Sequence, residues 1–226
     1  MQASAGRRSL TTRDAVVQAA LATTDAVGLD ALTIREVARQ AHVAPMTIYT
    51  YVSSKHELIE LMYAAAVAEL YRDPEQATWQ SGYRALCHQI RRTLLSHPNW
   101  VPLLSLGSRA AAMPYRERLL GQMAADAIPA AEAGTALSNA GLMAVGFVLA
   151  ELVYRDPNGQ SALTHKLLRF RRWSRQRAER GPSAPSQPPP QDARFDLDAQ
   201  FEAVVNNYVL GLEASFSTAL RSQPLE

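Results

Sequence analysis

The sequence predicts an all-α protein, with an N-terminal three-helix helix-turn-helix domain followed by a larger helical domain. Hydrophobic residues make up 47% of the 226 residues, which is ample for a buried core, whereas aromatic residues contribute only 7%. This composition favours helices over strands. Apolar residues also recur every three or four positions along most of the chain. We place the domain boundary between residues 54 and 55, which gives domains 1–54 and 55–226.

The first predicted helix begins at a capping threonine, Thr11 or Thr12, and ends at Gly28. Thr33 and Glu36 have the spacing of a capping box and start a short second helix. A brief third helix starts at Pro45, which suits a first helical position because it has no N–H to leave unpaired. The apolar positions that define the first two helices are Ala15, Val16, Ala19, Ala20, Val27, Ile34, Val37, Ala38 and Ala41.

The other predicted helices are longer. A fourth starts at the capping box Ser54 to Glu57 and runs towards Arg72, and a fifth ends near His97. The apolar stretch 138–154 is typical of a helix that is buried on more than one face. Residues 156–194 combine a basic run with the sequence GPSAPSQPPP, which predicts a flexible loop. The positions that define the fourth, fifth and last helices are Leu58, Leu61, Met62, Ala65, Tyr83, Leu86, Ile90, Leu94, Leu197, Phe201, Val204, Tyr208, Leu212 and Phe216.

Composition excludes several classes of site. Cys87 is the only cysteine, which excludes an internal disulfide and a multi-cysteine zinc site and fits the reducing cytoplasm. His88 and His97 have no carboxylate or cysteine at metal-ligand spacing, so we expect no metal and no cofactor. The first residues lack the apolar run of a signal peptide. The stretch 140–153 contains a glutamate and is shorter than the ~20 residues that cross a bilayer, so we expect no membrane association.

The segment from Leu32 to Leu58 carries the functional signal. Two short helices and a tight turn have helix-turn-helix geometry, in which the second helix enters the DNA major groove. Ile48, flanked by Val43 and Val52, anchors that helix to its neighbours. The hydroxyl and methyl groups of the remaining side chains suit phosphates, base edges and thymine methyls. The residues predicted to point outward are Met46, Thr47, Tyr49, Thr50 and Tyr51.

Charge supports DNA binding only locally. The net charge of the chain is +2, and basic and acidic residues balance over the first sixty positions. Bulk charge therefore does not predict a nucleic-acid partner. From Val37 to His56, however, the sequence contains no carboxylate, so phosphates would meet no repulsion there.

The pattern T-I-Y-T-Y-V-x-S-K-x-E-L, from Thr47 to Leu58, resembles the recognition helix and fourth helix of the TetR family of bacterial regulators. The resemblance covers about residues 11–71 and includes Gly28, Leu32, Thr33 and Ala38. It implies phosphate contacts from Thr33, Thr47, Tyr49 and Lys55, and base-facing roles for Arg35, Pro45, Met46, Thr50 and Tyr51.

The family usually has glycine in the turn where this chain has His42. Two outcomes are open. Either the turn has a different conformation, or His42 adopts a positive φ at some cost.

From Trp79 onward the chain resembles the ligand-binding domain of the tetracycline-repressor branch. The resemblance implies a homodimer, joined by a four-helix bundle from the last two long helices of each subunit. It also implies an effector pocket enclosed by helices four to eight, and effector binding that changes the separation of the recognition helices. We therefore expect a repressor that binds a palindromic operator in double-stranded DNA and is released by a small hydrophobic effector.

Aromatic, methionine and polar residues of the second domain are candidates for the effector pocket, although such residues at helical spacing are more often core. A buried Asn in an apolar helix needs a polar partner, which is a ligand, a carbonyl or a water. The histidine that holds the chelated metal of the tetracycline repressors has no counterpart that we can place, so that effector is disfavoured. The candidates are Trp79, Tyr83, Trp100, Met113, Tyr115, Asn139, Met143 and Phe147.

Alternative functions stay open at this point. An enzyme is disfavoured because the sequence has no P-loop, paired-glycine fingerprint, metal motif or nucleophile triad. A small-molecule carrier and an effector-less DNA-binding protein are the competing hypotheses. The basic run from Lys166 to Arg180 is either a further phosphate contact or a solvated face, and solvation is the commoner case for such runs.

Overall fold

The computed structural model describes residues 11–72, 76–105, 114–155 and 196–221, with side chains to residue 215, and these residues are helical with no strand. They form two compact units. The first contains the described residues up to Val67 and from Asn99 to Ser105, and the second contains the remainder. The helices are α1 (Arg13–Val27), α2 (Ile34–Gln40), α3 (Pro45–Ile48), α4 (Lys55–Leu70), α5 (Trp79–Ser96), α6 (Pro114–Ala125), α7 (Ala130–Arg155) and α8 (Leu197–Arg221).

Three of the predictions fall partly or wholly outside these residues. They are the flexible loop at 156–194, the basic run from Lys166 to Arg180, and the candidate ligand residue Met113. Three shorter 3₁₀ turns, Leu29–Ala31, Pro98–Trp100 and Pro102–Ser105, complete the first unit and its connections.

Helix α1 begins and ends as predicted, but its buried stripe is shifted. Thr12 is the capping residue, since its hydroxyl accepts a hydrogen bond from the Ala15 amide at 3.1 Å. Gly28 ends the helix with a φ of 81°, a conformation that favours glycine. Ala15 and Val27 are exposed, contrary to the prediction. The buried face of α1 instead includes two threonines. The buried residues are Val16, Val17, Ala19, Ala20, Leu21, Thr23 and Thr24.

Helix α5 is the central helix of the second unit and packs against α6, α7 and α8. The predicted apolar positions Tyr83, Leu86, Ile90 and Leu94 are all buried. Its start was not predicted: Thr78 and Ser81 form a reciprocal capping box. Gly82 lies close to α6, because a Cβ at this position would lie 2.4 Å from the Cδ2 atom of Leu119 and would force that side chain to move.

Two predictions concern helix α7. The sequence predicted burial on more than one face, one of them against a partner subunit; the single chain buries one stripe and leaves Leu142 and Tyr154 largely exposed. The helix has 26 residues and is long and apolar enough to cross a membrane, so the length argument was wrong. Packing on α5 and α6 and a fully buried Glu151 are instead typical of a core helix. The buried stripe consists of Ala133, Ala136, Leu137, Ala140, Ala144, Val148 and Glu151.

Helix α8 packs through a narrower stripe than predicted. Phe201, Val205 and Val209, spaced four residues apart, are buried. Val204 is 41% exposed and so lies outside the stripe in which the sequence pattern placed it. The prediction and the structure differ because residues three positions apart and residues four positions apart both lie on one face of a helix. Only the neighbouring helix determines which of them is buried.

Candidate functional site

The short helix α3 is held to the first unit by its apolar residues. Pro45 occupies its first turn, preceded by Ala44 in an extended conformation. Ile48 and Val52 are buried as predicted, while Val43 is half-buried. Only one turn is helical, so burial of these side chains, and not helix propensity, keeps α3 in place.

The turn between α2 and α3 is closed by backbone hydrogen bonds and by an unusual residue. The Val43 amide donates to the carbonyl oxygen of Ala38 at 3.0 Å, and the Ala41 amide donates to that of Val37 at 2.8 Å. His42 has a φ of 56°, in the left-handed region that glycine adopts most easily. The chain therefore keeps the turn and bears the backbone strain at His42, which was one of the two open outcomes.

The outer face of α3 exposes side chains that apolar packing alone would bury. Met46 is 74% exposed and Tyr49 is 49% exposed, and Pro45 and Thr50 are exposed as well. Thr50 donates its hydroxyl hydrogen to the Thr47 carbonyl oxygen at 2.7 Å, which leaves its methyl group and lone pairs for another contact. This face has the chemistry that reads base edges and thymine methyls.

Two predicted residues lie at the start of α2. The Thr33 hydroxyl accepts from the Glu36 amide at 3.2 Å and caps the helix, so its own hydrogen is left to donate. Arg35 is exposed on the first turn. The Glu36 carboxylate, on the same helix, accepts a hydrogen bond from the Arg39 guanidinium at 2.9 Å. Its negative charge is therefore balanced by Arg39.

Two other predicted residues contact the protein itself. The Tyr51 hydroxyl donates to the carbonyl oxygen of Thr11 before α1, and the Lys55 ammonium donates to the carbonyl oxygen of Leu32 before α2. Tyr51 is half-buried and has used its one hydroxyl hydrogen, so its hydroxyl has no hydrogen left to donate to DNA. Lys55 is exposed and keeps two further N–H groups for an anion.

Glu57 organises the start of α4, a role that the capping-box pattern predicted only in part. The Ser54 hydroxyl accepts from the Glu57 amide at 3.1 Å, as expected. The Glu57 carboxylate, however, accepts from the amide and hydroxyl of Ser53, each at 2.6 Å, and also pairs with Arg13 of α1. These hydrogen bonds from Ser53 and the nearby guanidinium hold the pKa of the Glu57 carboxyl below its ordinary value of 4.5.

Comparison with known proteins identifies the family. Residues 16–62 match the family model described as bacterial regulatory proteins, tetR family, and residues 72–216 match the tetracyclin repressor-like C-terminal domain. An HTH-type transcriptional regulator of Saccharopolyspora erythraea is 30% identical over 169 residues, which cover 71% of this chain and 70% of the relative. The chain belongs to the TetR family of transcriptional regulators.

Two further proteins resemble this TetR-family regulator. The transcriptional repressor DrrR1 of Streptomyces coeruleorubidus is 32% identical over 97 residues, which cover 42% of this chain and 36% of the relative. The crystal structure of ActR from Streptomyces coelicolor in complex with actinorhodin has a TM-score of 0.63 at 22% identity. The structural match covers 91% of this chain and 98% of ActR, and at 22% identity it shows a shared fold.

In the second unit of this regulator, two of the predicted ligand residues contact Tyr208 of α8, and a third packs on the same helix. The Tyr83 and Tyr208 rings stack with centroids 5.5 Å apart, and Asn139 donates its amide hydrogen to the Tyr208 hydroxyl at 2.7 Å. Phe147 packs on Phe201 of the same helix α8, with ring centroids 5.1 Å apart. The sequence pattern placed Tyr208 on the apolar stripe and gave no sign that its hydroxyl would be the partner of Asn139.

The Tyr83 hydroxyl is fully buried and makes no hydrogen bond of normal geometry with the described residues, although the Tyr208 hydroxyl is close by. Burial, with Cys87 and Tyr208 close by, raises the pKa of Tyr83 above its usual range. Burial also raises the pKa of the Cys87 thiol to about 12, so both groups are neutral at physiological pH. A neutral buried hydroxyl has one hydrogen to donate to an acceptor oxygen.

The remaining candidates lie apart from this group or are only partly enclosed. Tyr115 is buried and donates to the Gly82 carbonyl oxygen, and Trp79 is buried at the start of α5. Trp100 is buried but belongs to the first compact unit, and Met143 is half-buried on α7. Among the described residues, no three His, Cys, Asp or Glu side chains are placed to hold a metal ion.

Proposed function

We propose that this regulator is a dimeric, ligand-responsive repressor in the cytoplasm that binds a palindromic operator. The observation that carries the proposal is the outer face of α3, where Met46 and Tyr49 are exposed on a one-turn helix held by the buried Ile48. A lone exposed apolar residue is ordinary, but this group of apolar, aromatic and hydroxyl side chains suits a DNA groove. Thr33, Arg35 and Lys55 would contact the flanking phosphates and bases.

Dimerisation is supported by the exposed faces of α7 and α8. Leu142 is 73% exposed and Leu210 is 57% exposed; the exposed positions around Leu142 are small, and those around Leu210 include Gly211 and Ala214 as well as the polar Asn207. A helix that is this apolar on its solvent side buries that side against another surface. In the proposed dimer, the two recognition helices would bind half-sites about one DNA turn, ~34–36 Å, apart. The exposed positions of α7 include Thr135, Ser138, Leu142, Gly146, Ala150 and Tyr154.

An effector with an apolar body and an acceptor oxygen fits the group around Tyr208. Tyr83 supplies a buried hydroxyl hydrogen, and the Tyr208 hydroxyl, which already accepts from Asn139, has a hydrogen of its own. A relative of the same fold, ActR, has a structure with actinorhodin. The Tyr83→Phe variant removes the buried hydroxyl and should therefore bind the effector more weakly. Without effector it should be more stable by about 1 kcal/mol, because an unsatisfied polar group is lost.

A mobility-shift assay on the DNA upstream of the gene itself, repeated with a panel of hydrophobic compounds, tests the function. We expect a shifted complex that one class of compound releases. Tyr49→Ala, with unchanged thermal unfolding, is the matched variant and should need at least about tenfold more protein to give the same shift. Equal affinity for random duplex would contradict a specific operator and favour an effector-less DNA-binding protein. Compound binding without any shift would favour a carrier.

A further inference from the structure

Glu151 is the one described carboxylate that is fully buried, and it lies on the otherwise apolar helix α7. Its two oxygens accept from the Arg91 guanidinium of α5 at 2.8 and 2.9 Å, and Arg155 also pairs with it. The Arg91 side chain is 11% exposed. A buried ion pair with two parallel hydrogen bonds between guanidinium and carboxylate defines both the distance and the orientation between α5 and α7.

Arg91 contacts α8 at the same time. Its guanidinium donates to Asp198, in the first turn of α8, and lies 4.8 Å above the ring of Phe201. The Asp196 carboxylate accepts hydrogen bonds from the amides of Asp198 and Ala199 at 3.1 and 2.9 Å and so caps the start of α8. Asp198, which bonds Arg91, therefore lies in a capped first turn. This hydrogen bond to Arg91 lowers the pKa of the Asp198 carboxyl. One guanidinium therefore joins the last turns of α7 to the first turn of α8.

Besides the contacts of Phe147 with Phe201 and of Asn139 with Tyr208, few large side chains define the position of α7. Its buried stripe is mostly alanine, including Ala136, Ala140 and Ala144, and such small side chains offer few deep interlocking contacts. Replacing a buried ion pair by apolar residues often costs no stability, so stability alone does not explain a charge here. Directional hydrogen bonds, by contrast, are lost when a helix slides by one turn.

We propose that Arg91 is a positioning residue that fixes the register of α7 relative to α8, and thereby the spacing of operator half-sites that the dimer accepts. This inference rests on the proposed function, because the exposed faces of the same two helices form the proposed dimer interface. A change in their register would rotate one subunit relative to the other. The distance between the two α3 helices would change with it.

The decisive variant is the double replacement Arg91→Met with Glu151→Leu, which leaves no buried charge without a partner. It should keep its helix content and unfold within a few degrees of the wild type. On a series of palindromes that differ in half-site spacing, the wild type should prefer one spacing by about tenfold and the variant by less than about threefold. Its dimer dissociation constant, from sedimentation, should rise about tenfold.

Arg92→Met is the matched control, because Arg92 is the exposed neighbour of Arg91 on α5. Among the described residues, its side chain bonds only Gln89 of the same helix. It should behave as the wild type. Arg91→Lys keeps the positive charge but loses the bidentate hydrogen bonds to Glu151, so it should show an intermediate loss of spacing preference. It also tests the role of Arg91 if the double variant fails to fold. Wild-type spacing preference in either folded variant would overturn the inference. A wild type that binds no duplex would instead contradict the proposed function, and the dissociation constants would still test the role of Arg91.

Discussion

Two surfaces of this regulator expose side chains that are costly to leave in water, and they differ in chemistry. The α3 face combines Met46 and Tyr49 with threonine hydroxyls and no carboxylate, whereas the α7 and α8 faces combine leucines with Gly, Ala and Ser. The first arrangement suits a groove with donors, acceptors and methyl groups. The second suits a close-packed helix from another protein chain. Exposure alone therefore does not identify a partner, but the residues that surround the exposed side chain do.

The largest expected effect comes from placing a charge on the α7 face. Leu142→Asp should weaken dimerisation by at least about 100-fold, because a carboxylate in an apolar interface core loses its hydration without gaining a partner. Sedimentation measures the dimer, and operator binding should fall in parallel. Leu142→Met, which keeps the side chain apolar, is the control. A fully dimeric Leu142→Asp protein would show that this face is not the interface.

The next largest effect should come from the α3 face. Tyr49→Ala should weaken operator binding by about tenfold or more, because a groove or phosphate contact contributes roughly 1–3 kcal/mol. Its dimer dissociation constant should not change, which separates the two surfaces. Tyr49→Phe keeps the ring and tests the hydroxyl alone. Unchanged operator affinity in Tyr49→Ala would mean that α3 does not lie against DNA.

A smaller and less selective effect is expected at Lys55. Because its ammonium retains N–H groups beyond the bond to Leu32, Lys55→Met should weaken specific and random duplex about equally. The slope of log affinity against log salt should decrease by ~1. Fluorescence anisotropy over a salt series measures it. A loss confined to one operator sequence would instead indicate a base contact.

The smallest effect concerns the support of α3 by α4. The folded pKa of Glu57 is lowered, so its bonds to Ser53 and Arg13 stabilise the fold above its ordinary pKa of 4.5, and this stability is lost as the pH falls through the folded pKa. Glu57→Gln should therefore unfold at a lower temperature than the wild type at neutral pH. The difference should shrink progressively as the pH falls below 4.5. A difference that persists unchanged in acid would contradict the role of the charge.

How well each region could be predicted depended on how local its contacts are. Thr12, Gly28, Thr33 and Pro45 act within their own helices, and the structure places all four at the helix ends that the sequence predicted. The exposure of Met46, Tyr49 and Thr50 and the burial of Ile48 also follow from a short pattern, whereas Thr47 and Tyr51, predicted to point outward, are half-buried. The sequence did not predict that Tyr51 reaches Thr11, or that Lys55 reaches Leu32, because these partners lie far along the chain.

The all-helical class, the starts of the first four helices and the DNA-binding motif could be predicted from the sequence, since propensity, capping and spacing act over a few residues. The tertiary structure decided which face of α7 is buried, which of two adjacent valines of α8 packs inward, and that Arg91 joins Glu151 to Asp198. A helical repeat is compatible with several faces. Only the neighbouring helices, brought together by folding, select one of them, because burial depends on which distant residues meet.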